Sequence, residues 1–387
     1  MFLGNIDHFL KLTMMKGSWI VGTLALALSI SCAMAQKSLK PIPKPKGYVC
    51  YRTTAPVTID GKLDEKDWAN AEWTDAFIDI EGSEKPTPRF KTRAKMLWDD
   101  KYLYVSAELE EPHLWGKLTK DESIIYYDND FEIFIDPNSD THLYHEFEIN
   151  VLGTKWDLML DKPYREGGLH VNGWDMKGLK SAVSVDGTIN DPSDTDKGWS
   201  VEVALPLASL SETQFGRALP RHGTQWRINF SRVEWKHEIK KGKYVKKRRE
   251  NGKRIREDNW VWSPQYLINM HYPERWGFLQ FSDKKVGGRK EPFKYDQDEI
   301  VRLWMYEVYY AQRSFRHKKG RYAKTFQELG VTDFTLDGKT LESPWMDASE
   351  RFFEATVTSP FSGRVCHIRF DGKSWFDSRR KRKRKGA

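Results

Sequence analysis

Acidic and amide side chains recur at alternating positions in three short segments in the middle of the chain. Glu132, Glu148, Asn150 and Asn229 each stand between apolar residues, as on a strand with one apolar and one solvent-facing side. Neighbouring strands bring such side chains within reach of one ligand. Carboxylates form the stronger, charge-assisted hydrogen bonds. These residues are therefore suited to binding a polar ligand, and the pair Glu132 and Glu148 could also serve acid–base chemistry.

The segments that carry these residues predict a mainly β fold. From residue 48 to residue 281, short alternating runs are separated by turn residues, which is typical of an antiparallel β-sandwich. Asp99 and Asp100 separate two of these runs and predict a hairpin turn. The polar side of each strand should face solvent, as is common in antiparallel sheets.

A different pattern follows the last of these strands. Apolar residues recur at helical spacing between Ile300 and Phe315, and two short strand patterns come after them. We therefore expect a small α+β extension at the C-terminus. The predicted segments are a signal peptide at 1–35, a Lys/Pro linker at 36–47, the sandwich at 48–283, the extension at 284–378 and a basic tail at 379–387.

The first 35 residues have the features of an export signal. Lys11 and Lys16 precede an apolar run, and the sequence Ala-Met-Ala ends just before Gln36. The run, of about 12 residues, is too short to cross a bilayer comfortably, and we expect no transmembrane segment. The predicted location is the periplasm, the cell surface or the medium. A lipid anchor at Cys32 is the alternative interpretation.

Cysteine usage leaves the redox state open. Once a signal peptide is removed, Cys50 and Cys366 remain. In an exported protein they could form one disulfide, or they could stay as two buried thiols. The sequence has no Cys-x-x-Cys and no Cys/His zinc spacing, so it lacks the patterns of structural zinc sites.

The net charge of +8 comes from two short segments. Residues 236–256 hold 11 Lys and Arg with two acids, and residues 379–385 hold seven Lys and Arg with none. Without these segments, 45 bases stand against 53 acids, so the remainder of the chain is acidic. An exported, mostly acidic protein is a poor candidate for binding nucleic acid, and we expect no nucleic-acid partner.

Four segments, in order and similarly spaced, resemble a family 9 carbohydrate-binding module. They run from Ile59 to Glu65 followed by Trp68, from Leu97 to Val105, from Asp128 to Asp136, and from Gly198 to Pro206. With the export signal, the arrangement resembles exported proteins of Bacteroidetes that carry a C-terminal extension.

The resemblance implies a β-sandwich of the DOMON-like group that binds sugars through aromatic side chains. Such modules often carry calcium and usually work in or beside glycoside hydrolases. A sugar ring has polar edges and apolar C–H faces, so a site for it needs flat rings as well as carboxylates or amides. We therefore predict non-catalytic binding of a polysaccharide or oligosaccharide, in support of carbohydrate catabolism and with glycoside hydrolases as partners.

In the resembled family, two aromatic side chains enclose the sugar. Tyr126 stands six residues before Glu132 and matches the first aromatic position in kind. The second position falls in the stretch that contains Met270, His271 and Tyr272. These residues are therefore predicted to contact the ligand.

The sequence also departs from the family. Glu148 stands where sugar-binding members carry an arginine, whereas Asn150 is retained. Exchanging a cation for an anion should change which sugar fits, so the ligand of the family is not carried over. Trp115, Trp156 and Trp174 are further candidates for ligand contact because each lies in or beside a loop.

Four residues could hold calcium, the cofactor that the resemblance suggests. Asp128, Asp130, Asp136 and Asn138 are dense oxygen donors of the kind that calcium prefers. They do not follow the EF-hand spacing, and Asp and Asn are also common in turns. Calcium is therefore a prediction with a purely structural alternative, and no other cofactor is expected. Glu132 is suited either to ligand contact or to a structural or calcium role.

Two other functions stay open. A glycoside hydrolase could use Glu132 and Glu148, which requires about 5 to 9.5 Å between the two carboxyl groups. A haem-binding domain of the DOMON-like kind could use His145 or His271 together with Met270 as axial ligands.

The basic segment at 236–256 is predicted to form a long hairpin loop that precedes the second aromatic position. The cations in this loop that we assign to the rim of the sugar site are Lys246, Lys247, Arg248 and Arg249. They would attract an anionic glycan. The alternative is a solvated loop without a ligand.

Overall fold

The computed structural model describes residues 42–171, 173–213 and 219–377. The predicted signal peptide, the lipid anchor at Cys32, the first half of the linker and the basic tail lie outside these residues. Among the described helices, none is both long enough and apolar enough to cross a membrane.

In the described residues between 42 and 285, strands are the main secondary structure, as predicted. The strands are β1 (Gly47–Arg52), β2 (Ile78–Asp79), β3 (Thr92–Trp98), β4 (Tyr102–Glu110), β5 (Asp130–Asp136), β6 (Tyr144–Asn150), β7 (Lys155–Leu160), β8 (Lys180–Asp186), β9 (Gly198–Pro206), β10 (Gln225–Glu234), β11 (His237–Lys240), β12 (Lys243–Lys246), β13 (Asp258–Val261) and β14 (Gly277–Lys285). Two short helices, α1 (Lys66–Asn70) and α2 (Leu207–Glu212), and three 3₁₀ turns, at Ile125–Tyr127, Tyr164–Glu166 and Pro273–Arg275, connect them.

Twelve of these strands form one curled sheet. Ten follow in the order β7-β6-β5-β10-β14-β1-β3-β4-β9-β8; off this path, β13 pairs with β10 and β2 pairs with β13. Phe131 and Ile133 of one half and Val105 and Val201 of the other belong to the same buried core, so the two halves pack face to face. The prediction of a mainly β, sandwich-like fold is confirmed. Its antiparallel character has one exception, because β1 runs parallel to both β14 and β3.

The polar side of β5 and β6 is not solvent-facing, which corrects the sequence-based expectation. Glu132 is 5% exposed and Glu148 is 2% exposed. The reason is that the 3₁₀ turns at 125–127 and 164–166 and the segment around His271 cover this side of the sheet. The strands therefore have an apolar core on one side and a buried polar surface on the other.

Glu202 anchors the segment before α1 to the sheet. Its carboxylate accepts hydrogen bonds from the backbone N–H groups of Asp60 (3.0 Å) and Gly61 (2.8 Å) and from Trp68 Nε1 (2.7 Å). Gly61 has a φ of +87°, and a Cβ there would lie 2.5 Å from the backbone of Val183. A glycine is thus required at position 61, where two backbones approach closely.

Replacing Glu202 with alanine is expected to destabilise the fold strongly. The substitution leaves three donors without an acceptor, two of them buried, which should cost about 3 to 5 kcal/mol. Urea unfolding measures the loss. The matched control is Ser200→Ala, which removes one hydrogen bond to Gly61 O (2.6 Å) and should cost about 1 kcal/mol. Similar stabilities for the two variants would contradict the anchoring role.

The C-terminal extension is a helix packed on a small sheet, as the spacing predicted. Its elements are α3 (Gln297–Lys319), α4 (Phe326–Leu329), β15 (Thr335–Leu336), β16 (Lys339–Thr340), β17 (Glu342–Ala348), β18 (Phe353–Thr358), β19 (Val365–Arg369) and β20 (Ser374–Phe376). Strands β17 to β20 form one sheet in sequence order. Residues of α3, including Val301 and Met305, share a second core with Ala355 and Ile368 of this sheet.

Cys50 and Cys366, the two cysteines within the described residues, are free and buried. Cys50 belongs to the core of the sandwich, whereas Cys366 belongs to the core of the extension. The disulfide that the sequence left open is therefore not formed, because each thiol is enclosed by a different set of apolar side chains.

Buried polar contacts join the extension to the sandwich. Arg302 of α3 donates to Ser139 O (2.7 Å) in the β5–β6 loop and to Ser374 O (2.8 Å). Arg227 of β10 pairs with Glu299 (3.3 Å). Since Arg227 and Arg302 are almost fully buried, these contacts hold α3 in a defined position against the sandwich.

Candidate functional site

A cleft of about 570 Å³ lies on the polar side of β5 and β6. The strand period of two explains its floor, because Glu132 and Phe134 of β5 and Glu146 and Glu148 of β6 all point away from the sandwich core. We call this the acidic cleft. Its volume is in the range of small-molecule binding sites.

The floor brings carboxylates unusually close together. Glu132 lies directly opposite Glu148 in the β5–β6 register. One carboxylate oxygen from each of Asp130, Glu132 and Glu148 lies within 4.8 Å of the other two. Burial raises the pKa of Glu132 to about 7 and the pKa of Glu148 well above the ordinary value. Burial raises the pKa of Glu146 in the same way, with further contributions from its acidic neighbours.

Aromatic side chains form the walls. Tyr126, Trp156, Tyr164 and His271 line the cleft. The rings of Tyr164 and His271 lie 4.4 Å apart, edge to face, and 41% of Tyr164 is exposed. The wall residue Tyr126 is fixed to the floor, since its backbone N–H donates to Glu148 Oε2 (3.0 Å). The cleft thus offers flat rings around hydrogen-bonding carboxylates.

Arg165 ties two walls of the acidic cleft to the C-terminal extension. Its guanidinium donates to His271 O (3.0 Å), to Glu274 (3.1 Å) and to the hydroxyl of Tyr309 in α3 (3.2 Å). It also stacks on the ring of Tyr272, 4.2 Å from the ring centre. The side chain is 6% exposed. Helix α3 therefore supports both the turn that carries Tyr164 and the segment that carries His271.

The structure gathers five of the predicted ligand-contact residues. Tyr126, Glu132, Glu148, Met270 and His271 all line the acidic cleft. They come from three separate parts of the chain, and the sheet register and the covering turns bring them together.

Four other predicted residues do not line it. Asn150 has the expected strand parity, but its side chain bonds to Leu118 O and to the N–H of Thr154 in the turn after β6. Asn229 bonds to both the N–H and the carbonyl of Ser263. The side-chain amides of Asn150 and Asn229 are therefore occupied by hydrogen bonds to the turn and to the loop.

Tyr272 and Trp174 also lie elsewhere. Tyr272 lies between Arg165 and Tyr310 of α3. Trp174 packs on His145, 4.8 Å between rings, on the core side of β6. Both aromatic side chains serve packing.

Several cleft residues were not predicted. Glu146, Tyr164, His170, Arg256 and Glu257 line the cleft as well, and so does Trp156, which its place in or beside a loop had already made a candidate. The parity of Glu146 and Trp156 matches that of Glu148 on paired strands, and this signal could have identified them. Tyr164 and Arg256 lie in irregular segments, where the sequence pattern gives no orientation.

The predicted calcium ligands fall at the two ends of β5. Asp136 accepts backbone hydrogen bonds from Asn138, Ser139 and Thr141, so it stabilises the turn after the strand. Asp128 Oδ2 accepts from the N–H groups of Lys117 and Leu118. The predicted set, Asp128, Asp130, Asp136 and Asn138, is therefore not one cluster, and only Asp130 lies beside the floor of the acidic cleft.

The structure does not bring together the haem ligands that the sequence suggested. His145 lies on the core side of β6 and bonds to Thr213 Oγ1 (3.1 Å). Met270 and His271 lie on the opposite side, at the cleft. They are also consecutive, with Cα atoms about 3.8 Å apart, which is too close for ligands on opposite sides of a haem.

The basic segment connects the antiparallel strands β10 and β13, as predicted for a long hairpin loop, and part of it forms a shorter hairpin, β11–β12. Lys246, Lys247, Arg248 and Arg254 line a second cleft of about 460 Å³ together with Tyr127, and we call this the basic cleft. Arg249 lines neither cleft. Because Tyr126 and Tyr127 are adjacent, the two clefts are neighbours separated by one turn of chain.

The fold and the acidic cleft together define a ligand-binding β-sandwich domain. Comparison with known proteins gives the class of ligand-binding domain: residues 59–229 match the family described as carbohydrate family 9 binding domain-like. The chain therefore contains a domain similar to family 9 carbohydrate-binding domains. The matched residues include β5, β6 and Tyr126, whereas the wall at His271 lies beyond them.

The similar proteins are much longer than the shared segment. Endo-1,4-beta-xylanase A of Thermoanaerobacterium saccharolyticum is 32% identical over 153 residues, which are 40% of this chain and 11% of that protein. Endo-1,4-beta-xylanase C of Paenibacillus barcinonensis is 36% identical over 154 residues, 40% of this chain and 12% of that protein. The chain thus spans only about a tenth of the length of these relatives.

Solved structures match a larger part of the chain. A family 9 carbohydrate binding module from Caldicellulosiruptor kristjanssonii, solved in complex with cellotriose, is 18% identical, and the match covers 64% of this chain and 100% of that one. The TM-score is 0.39. The same module has also been solved in complex with glucose, and that structure gives a TM-score of 0.38.

Proposed function

We propose that the protein binds carbohydrate in the acidic cleft without cleaving it. The observation that carries the proposal is the combination, in one cleft, of the Glu132 and Glu148 carboxylates with the rings of Tyr126, Trp156 and Tyr164. Carboxylates accept hydrogen bonds from sugar hydroxyls, and aromatic rings pack on the apolar C–H face of a sugar. The match to a family of binding domains supports the same function.

Cleavage of a glycan is the second candidate function, and the short distance between Glu132 and Glu148 is the observation that favours it. Their carboxylate oxygens lie within 4.8 Å, near the short separation of retaining glycosidases. However, glycosidase carboxylates flank the scissile bond, whereas Glu132 and Glu148 lie side by side on one floor. A ligand above that floor would meet both from the same direction, which suits binding better than acid and nucleophile roles.

Calorimetry with the full chain tests the proposed function. Glucose, cellotriose, xylo-oligosaccharides and uronic-acid oligosaccharides serve as ligands. Trp156→Ala should weaken binding at least about tenfold if the ring packs on the sugar. The matched control is Trp345→Ala, because Trp345 is 50% exposed in the extension and should leave the affinity unchanged. Equal effects of the two substitutions, or no binding of any ligand, would refute the proposal.

The hydrolase alternative needs a separate measurement. Each bound oligosaccharide is incubated with the protein, and reducing ends are counted over time. Release that disappears in Glu132→Gln would establish cleavage and replace the proposal of non-catalytic binding. Binding without release is the expected result.

The basic cleft provides a role for the cations of the hairpin. We propose that it attracts the acidic groups of an anionic glycan whose ring lies in the neighbouring acidic cleft. Lys246 Nζ lies 3.5 Å from the centre of the Trp235 ring, and the Arg254 guanidinium lies 4.2 Å from it. Burial, and then the repulsion from Arg254, lower the pKa of Lys246 to about 8.

A pH dependence follows from the lowered pKa of Lys246. The side chain is mostly protonated at pH 7 and mostly neutral at pH 9, so affinity for an anionic oligosaccharide should fall across this interval, by roughly two- to fivefold for one partly exposed charge. Titrations at both pH values with a uronic-acid oligosaccharide measure the effect. Lys246→Met should remove it and Lys240→Met should keep it, because Lys240 is exposed and pairs with Glu238. If the affinity of Lys246→Met still falls between pH 7 and pH 9, the pH dependence comes from another group.

The cellular setting completes the proposal. The export signal in the sequence and the similarity to xylanases support a protein that acts outside the cytoplasm beside glycoside hydrolases. Co-purification of the chain with hydrolases from culture fractions, compared with a variant that lacks residues 1–35, tests both points.

A further inference from the structure

The carboxylates under the acidic cleft come from two neighbouring strands and converge on one point. Asp130 and Glu132 project from β5, and Glu148 projects from the paired strand β6. A single oxygen from each lies within 4.8 Å of the other two. All three residues are buried, at 0%, 5% and 2% exposure. Three carboxylates at this separation can contact one small cation at the same time.

Two further oxygens at this place have no hydrogen-bond partner. Asp130 Oδ1 accepts from the N–H of Val233 (3.3 Å), but Oδ2 is buried without a partner. Ser231 stands opposite Glu132 on β10, and its Oγ is also buried and unpartnered. Buried polar atoms in native proteins almost always have a partner. These two oxygens therefore point to a ligand that the protein atoms do not provide.

The charge around the cluster is unbalanced. Glu146 adds a fourth carboxyl on the same side of β6, and Glu257 adds a fifth at the cleft wall. Arg256 is the cation at the wall; it is exposed, and the structure shows no ion pair between it and the three carboxylates. Within the described residues, the basic hairpin faces the neighbouring cleft instead. Buried anions without a counter-charge are costly.

We propose that Asp130, Glu132 and Glu148, with Ser231 Oγ, bind one Ca²⁺ ion at the floor of the acidic cleft, and that this ion contacts the bound glycan. The donors are all oxygen, and hard cations prefer oxygen ligands. Mg²⁺ usually keeps several waters and an octahedral shell, whereas Ca²⁺ accepts several carboxylates in a flexible geometry. The buried three-carboxylate cluster therefore suits Ca²⁺ better.

This site is different from the calcium site that the sequence suggested. In that set, Asp136 is committed to three backbone N–H groups of its own turn. Asp136 stands six residues after Asp130, about 20 Å along an extended strand. The two locations can therefore be separated by substitution.

The open side of the proposed ion faces the acidic cleft, because Glu132 and Glu148 both line it. Ca²⁺ takes six to eight oxygen ligands, so the protein donors leave coordination positions free. Sugar hydroxyl or carboxylate oxygens can fill them. This part of the inference rests on the proposed function, whereas the ion site itself does not.

Metal binding is tested on the full chain after removal of divalent ions with EDTA. Tb³⁺ serves as the luminescent probe, because Trp156 and Tyr126 line the same cleft and can sensitise it, and Ca²⁺ is the competitor. The expected result is one Tb³⁺ site that Ca²⁺ displaces, with roughly tenfold weaker Ca²⁺ binding after loss of one carboxylate. Asp130→Asn is the first variant, since an asparagine oxygen can still accept from Val233.

Two more variants complete the comparison. Glu148→Gln should weaken Ca²⁺ binding similarly and keeps an acceptor for the N–H of Tyr126. Asp136→Asn is the matched control and should leave the affinity unchanged. Circular dichroism confirms that each variant is folded. Absence of Ca²⁺ competition, or loss in Asp136→Asn with retention in Asp130→Asn, would overturn the proposal.

Sugar titrations in EDTA and in Ca²⁺ separate this inference from the proposed function. Tighter binding in Ca²⁺ supports contact between the ion and the glycan. Equal affinities under both conditions overturn that contact and leave carbohydrate binding standing. Ca²⁺ binding without any sugar binding would support the ion site and refute the proposed function.

Discussion

Glu132→Gln is expected to stabilise the metal-free protein above pH 7 while it weakens ligand binding. Burial raises the pKa of Glu132 from 4.5 to about 7. Between these two values the folded protein holds a proton that the unfolded chain has released, so the stability from this group is complete below pH 4.5 and is lost as the pH rises through 7. A difference of this size corresponds to roughly 3 kcal/mol. Glutamine is uncharged at every pH and avoids the loss.

Urea unfolding in EDTA at pH 5 and pH 8 measures this effect. Wild type should lose stability between the two pH values, and Glu132→Gln should lose less, which makes the variant the more stable protein at pH 8. The matched control is Glu108→Gln, because Glu108 is half exposed and pairs with Arg93 on the surface. A Glu132→Gln variant that is less stable than wild type at pH 8 would show that the glutamate is stabilised by an interaction other than those described.

Glu132→Gln should also weaken glycan binding. The contribution of Glu132 to stability can then be measured separately from its contribution to binding. A buried carboxylate that destabilises the fold is typical of a functional site, where stability is given up for binding. Calorimetry on Glu132→Gln at pH 8, beside the unfolding data, gives both quantities for one protein. Lower stability together with unchanged affinity would assign Glu132 a structural role only.

The floor of the cleft could be predicted from the sequence because a strand has a period of two. Phe131 and Ile133 point into the core, so Glu132 must point to the other side, and the same reasoning places Glu148. The strand period gives the side of the sheet to which a side chain points, but not the group with which it forms hydrogen bonds. Asn150 shares the parity of Glu148, and yet the turn after β6 binds its amide group.

The walls could not be predicted in the same way. Tyr164 is held in place by long-range contacts of Arg165, its neighbour in sequence, with Glu274 and Tyr309, and no local pattern reports contacts across more than one hundred residues. The sequence also failed to predict that the polar side of β5 and β6 is buried, for a related reason. The turns that cover Glu132 and Glu148 are irregular, and their position over the sheet depends on the fold as a whole.

Arg165→Ala is expected to weaken ligand binding although Arg165 does not line the acidic cleft. Its guanidinium holds the backbone carbonyl of His271 and the carboxylate of Glu274 on one side and the hydroxyl of Tyr309 on the other. Desolvated charge pairs of this kind cost about 3 to 5 kcal/mol when one partner is removed. The turn that carries Tyr164 and the segment that carries His271 would lose their common support, so both cleft walls should loosen.

Affinity and stability must be measured together to identify this positioning role. Calorimetry at a temperature where circular dichroism shows the variant to be folded should give binding about tenfold weaker or worse, since misplaced walls no longer pack on the sugar. Tyr310→Phe, which removes one hydroxyl donated to Glu274, should give a smaller change in the same direction. The matched control is Arg321→Ala, because Arg321 pairs with Glu328 within the extension and is 43% exposed. A folded Arg165→Ala protein with unchanged affinity would mean that the extension stabilises the sandwich without shaping its binding site.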